Sequence, residues 1–170
     1  MGVSRYWVVF LVVSIAIVLL SCTSSSAAQS PPPESSTAGT VAQTKNLING
    51  TIVVPAGGSH DVHIETDVGT MSNVRIVGWF HASGGSQSEI EVFLASDSDY
   101  QTWTEGRSIK PLYNSGRTTF ANINVGVPVS YETYHLVFNN IFSTSLKTIQ
   151  AEIELDYYVP APTPTTTSTP

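Results

Sequence analysis

This chain has one cysteine, Cys22, and few charges, which make up 12% of its residues. A single thiol excludes an intrachain disulfide, so a domain built from this sequence is held by its apolar core alone. Lysine and arginine are scarce and scattered singly, and the formal net charge is −6. A nucleic-acid surface needs clustered basic side chains, so that partner class is set aside. No GxSxG or HExxH stretch occurs, and no cofactor or metal is expected from any motif. Ser59-His60-Asp61 holds the residue types of a hydrolase triad, but neighbours on a strand point to opposite faces and cannot form the relay. The chain is therefore read as non-catalytic. There is one long apolar run, Tyr6 to Leu20, shorter than the ~20 residues a spanning helix needs.

That run follows the lone positive charge of Arg5 and reads as an export signal over residues 1–21. Leu19-Leu20-Ser21-Cys22 resembles the lipobox of bacterial lipoproteins. The resemblance implies that Cys22 is acylated and becomes the new N-terminus, with the mature protein anchored to the cell membrane on its extracytoplasmic face. A simple signal peptide or an uncleaved anchor are the alternatives. Several acyl chains anchor firmly where one holds marginally, each buried methylene contributing about 0.8 kcal/mol. Residues 22–44 are rich in Ser, Thr, Ala and Pro and read as a disordered tether. Its flexible span is roughly 25 Å. Residues 159–170 are a second Pro/Thr-rich segment, either a disordered tail or a spacer or glycosylated stalk.

Between these flanks, residues 45–158 carry short apolar runs separated by turn residues, the pattern of a single antiparallel all-β sandwich of about seven to nine strands. The clearest run lies near the end, where Ala151, Ile153, Leu155 and Tyr157 alternate with Glu152, Glu154, Asp156 and Tyr158. That is a strand with one dry and one wet face. Ile76, Gly78 and Phe80 share one face of a central strand, and Arg75, Val77, Trp79 and His81 share the other. Ile90, Val92 and Leu94 oppose Glu89, Glu91 and Phe93. Residues 97–106 do not alternate and read as a loop with one helical turn.

Gly78-Trp79-Phe80-His81-Ala82-Ser83-Gly84-Gly85 before Ile90-Glu91-Val92, the Tyr100-x-x-Trp103 loop, and the stretch from Tyr134 through Asn139-Asn140-Ile141-Phe142-Ser143 to Lys147 together resemble the Golgi-dynamics (GOLD) β-sandwich and its extracytoplasmic bacterial relatives. The resemblance spans roughly residues 46–158. It implies a jelly-roll-like sandwich and a non-catalytic module for membrane-proximal interaction. The chain lacks the cysteine pair, coiled coil and cytoplasmic tail of the family's cargo receptors, so transport is not carried over.

Four groups of candidate site residues stand out. Glu152, Glu154, Asp156 and Tyr158 form an acidic wet face suited to a basic envelope protein. Tyr100, Trp103 and Tyr113 lie in or near loops, where aromatic rings can stack on a glycan; the competing role for Trp103 is to cover one end of the core. Asp61, His63 and Glu65 share a strand face, a solvated polar surface by default and an adventitious divalent-ion site otherwise; His60 and His63 fall on opposite faces. Asp97-Ser98-Asp99 offers two carboxylates to calcium but lacks the glycine and distal glutamate of an EF-hand. His81 and His135 are lone histidines with no assigned role. Phe142, between polar turn residues, is expected to be a buried plug at the sandwich corner. The function this composes is a membrane-anchored extracytoplasmic binding module for a protein partner, with a carbohydrate-binding module using the Trp103 loop as the alternative.

Overall fold

The computed structural model describes residues 39–163. The export signal, Cys22, most of the tether and the end of the tail lie outside the described residues. Eight strands and one helix follow in the order β1 (Thr40–Val54), β2 (Ser59–Glu65), β3 (Ser72–Ser83), β4 (Ile90–Ser96), α1 (Asp97–Thr104), β5 (Tyr113–Thr118), β6 (Phe120–Gly126), β7 (Thr133–Asn139) and β8 (Lys147–Pro160). They form two four-stranded antiparallel sheets, β1-β8-β3-β6 and β2-β7-β4-β5. The expected β-sandwich is what the chain forms. The first strand starts at Thr40, inside the stretch read as tether, because Thr40 to Thr44 pair with Asp156 to Pro160 of β8. The same pairing carries β8 past Tyr158, the expected end of the body.

Period-2 alternation decides which side chains meet between the sheets. Ile149, Ala151, Ile153 and Leu155 of β8 and Ile76, Phe80 and Ala82 of β3 are buried, and so are Ile90, Val92 and Leu94 of β4 and Tyr134, Leu136 and Phe138 of β7. All belong to one apolar cluster. Phe80 and Phe138 meet edge to face at 6.0 Å and join the sheets. Burying each such side chain contributes about 1.5–3 kcal/mol, and in a chain without disulfides this is the main stabilising term.

The second sheet differs from the expected half-wet pattern. Every residue of β7 from Tyr134 to Asn139 is buried, and so is Phe93 of β4. Helix α1 and the segment after it lie across the outer face, where Tyr100, Trp103 and Ile109 pack on Phe93, Ala95 and Val137. Phe93 thus belongs to a small second core instead of a wet face.

The corner after β7 is held by polar groups. Asn140 is fully buried, and its Nδ2 donates to the carbonyls of Pro55 and Ser145, both at 2.9 Å. Its backbone N–H donates to Gly58 O at 2.9 Å, and Gly57 N donates to Ser143 O at 2.8 Å. These bonds tie the β1–β2 turn to the β7–β8 turn. Lys147 is buried nearby and donates from Nζ to Gly84 O at 2.8 Å. Phe142 is not the expected plug: it is half-buried, and the Arg117 guanidinium lies over its ring at 3.9 Å from the centroid. The corner is closed by an asparagine because its backbone donors and acceptors need partners more than its cavity needs a ring.

Candidate functional site

Antiparallel register places the outer face of the second sheet in rows. His63 of β2 lies opposite His135 of β7, which lies opposite Ala95 of β4; Asp61 lies opposite Val137, which lies opposite Phe93, itself opposite Asn114 of β5. Helix α1 then supplies side chains from above. Ser96 is its N-cap, accepting a bond from Asp99 N at 3.2 Å. Asp97 and Asp99 occupy its first turn, where carboxylates complement the helix dipole. The loop with one helical turn is thus a capped eight-residue helix. Asp97 and Asp99 do not converge as calcium ligands, since Asp97 Oδ2 accepts from Gln101 Nε2 at 2.7 Å and Oδ1 faces His135.

Two features share this face. The first is an open groove of about 340 Å³ lined by Glu91, Phe93, Trp103, Gly106, Arg107, Ser108, Ile109, Pro111, Asn114 and Ile141. Trp103 meets Phe93 edge to face at 5.0 Å and forms an aromatic wall. Glu91 is fixed at the other side by Asn114 Nδ2 at 2.9 Å and Asn139 Nδ2 at 2.7 Å. Trp103 therefore does not close an end of the main core, the role that competed with ligand binding; it packs on the outer face of the second sheet and borders the groove.

The second feature is a cluster at His135. Its Nδ1 lies 2.9 Å from Asp61 Oδ2 and its Nε2 lies 3.1 Å from Asp97 Oδ1. Tyr100 stacks on the imidazole at 4.0 Å with an interplanar angle of 3°. His63 Nε2 reaches the same Asp61 Oδ2 at 2.8 Å. Burial pushes the Tyr100 hydroxyl above its ordinary value, helped by the nearby Asp61 charge.

The sequence-predicted groups are therefore redistributed. Tyr100 and Trp103 share the outer face of the second sheet, Tyr100 against His135 and Trp103 against Phe93. Tyr113 turns inward and packs against the main core, where burial raises its hydroxyl pKa, so it does not belong to a ligand platform. Glu152, Glu154, Asp156 and Tyr158 lie on the outer face of the other sheet. Asp156 accepts from Thr44 Oγ1 at 2.8 Å, and Arg75, across from it in register, bonds Asn124 instead. Among the described residues neither Glu152 nor Glu154 makes an ion pair, so that face stays acidic. His60 and Asp61 do fall on opposite faces, as the triad argument requires, with His60 beside Phe138 in the interior direction.

His135 is the residue that sequence reasoning missed. It gains neighbours only through β2–β7 pairing and the placement of α1, and its sole sequence signal was its outward parity on β7. No protein-family model matches the chain, and no curated protein matches it. Among the described residues no helix is long and apolar enough to cross a membrane.

Proposed function

We propose that this protein is a non-catalytic binding module, anchored through lipidated Cys22 to the extracytoplasmic face of a cell membrane, that docks a protein partner of the envelope in the groove beside Trp103. The groove is the observation that carries the reading. It joins an aromatic and aliphatic floor, Phe93, Trp103 and Ile109, to fixed polar groups, Glu91 and Asn114. Such a combination of apolar surface with a few oriented polar groups suits specific binding. The resemblance to GOLD-type sandwiches agrees with an interaction role. Confinement by a tether raises the effective concentration toward other envelope proteins, so a weak interface suffices. A glycan is the second reading, favoured by the aromatic wall facing amide and carboxylate groups.

In-cell photocrosslinking from Ser108, beside the groove, and from Tyr158, on the acidic face of the other sheet, tests the proposal. Recovery of one partner protein through Ser108 and its loss in Trp103→Ala is the expected result. Recovery through Tyr158 alone moves the site to the other sheet. Retention of the intact chain on a polysaccharide, abolished by Trp103→Ala with the fold preserved, replaces the protein partner with a glycan.

A further inference from the structure

We propose that Asp61, His63 and His135 form a binding site for a divalent transition-metal ion of the zinc type on the outer face of the β2–β7 pair. One ligand atom from each residue lies within 4.8 Å of the others. Both imidazoles converge on a single oxygen, Asp61 Oδ2, at 2.8 and 2.9 Å. Two ligands about 2.1 Å from one ion stand roughly 3.0–3.4 Å apart at octahedral to tetrahedral angles, so the two Asp61 separations need a slight expansion around an ion, and the two imidazoles must draw together.

The surroundings of His135 carry the argument further. A neutral imidazole has one N–H and one lone pair, so it can donate to Asp97 or to Asp61 but not to both. When Nε2 donates to Asp97, the Nδ1 lone pair points at the Asp61 carboxylate, and a cation between them turns repulsion into coordination. A carboxylate that accepts from the second nitrogen is the usual means of orienting a metal-binding histidine. The ring is further fixed by the stacked Tyr100 and by burial, with 5% of its side chain exposed. Asp61 points the same way: its side chain is 15% exposed, and its Oδ1 is buried without a hydrogen-bond partner. A buried carboxylate oxygen without a donor is costly, and a bound cation offsets that cost. His63 completes the set from the solvent side, with 66% of its side chain exposed and room to swing toward His135. Two imidazoles and one carboxylate suit zinc, copper or nickel; a hard ion such as calcium prefers oxygen ligands throughout.

The test uses the untagged full-length chain, stripped of metal with a chelator and titrated with Zn²⁺ by calorimetry. Side-chain nitrogen NMR of the histidines is recorded in parallel. The expected result is one Zn²⁺ per chain, shifts confined to the resonances of His63 and His135, and a thermal midpoint that rises with zinc. Because His63 is exposed, His63→Ala should keep the fold and weaken zinc binding by about tenfold or more. His81→Ala, which removes an exposed histidine on the other sheet, should change nothing. Absence of stoichiometric binding overturns the proposal, and so do unchanged affinity in His63→Ala or calcium binding as tight as zinc.

Discussion

Gly78 shows how one residue without a side chain can govern a sheet. It sits in β3 at a φ of 147°, opposite Ile153 of β8, and a Cβ placed there would lie 2.1 Å from the Glu152 carbonyl oxygen. That oxygen belongs to backbone and cannot swing aside, so the two central strands would have to separate. Gly78→Ala is therefore expected to destabilise by more than the ~1 kcal/mol scale of an ordinary glycine change, seen as a large drop in thermal midpoint or loss of soluble protein. Tyr113 makes a pH prediction. Burial raises its pKa above the ordinary 10.0, so the neutral phenol is favoured in the folded state. The sign follows: the contribution is full below the unfolded value and is lost as pH rises through the folded one. Urea denaturation across the alkaline range should show stability falling above about pH 10, and Tyr113→Phe should flatten that fall.

Helix α1 is the element on which the groove and the histidine cluster both depend. It is short, and a helix of this length is marginal alone, so it persists through its cap and through what it covers. Ser96 satisfies the Asp99 N–H, Tyr100 stacks on His135, and Trp103 packs on Phe93. Removing the cap in Ser96→Ala should cost about 1 kcal/mol of local stability. Amide exchange over residues 97–104 should then quicken several-fold, while β3 and β8 keep their protection. Uniform acceleration across both sheets would instead make α1 part of the global folding unit. The turn that Phe142 occupies is held by Asn140 and Ser143, so its ring is left to Arg117.

At the scale of the whole molecule, an apolar sandwich without disulfides carries two outer faces of different character. One is acidic and open along β8. The other is partly covered by α1, which leaves the groove and the exposed His63 edge open. If the proposed anchoring through Cys22 holds, the expected outcome of Cys22→Ala is loss of the protein from the membrane fraction with the domain still folded. Fractionation followed by protease protection checks it, and continued membrane retention of the variant would point to an uncleaved apolar anchor.

The sequence by itself determined the class of fold, because alternation in stretches such as Ile149 to Leu155 is local and two-valued: a side chain on a strand faces one side or the other. It also determined the absence of an intrachain disulfide, from a single thiol. Local pattern misled where something distant covered a face or replaced a ring. Phe93 alternates with buried residues and reads as wet until α1 lies over it, and Phe142 reads as a plug until Asn140 takes the corner. The His135 cluster was beyond local reading altogether. Asp61, Asp97 and His135 are far apart along the chain, and only the register of β2 against β7 and the descent of α1 onto that pair bring their side chains within hydrogen-bonding distance. Long-range strand pairing and a helix laid across a sheet are tertiary decisions, made by the summed burial of two cores and not by the residues that end up at the site.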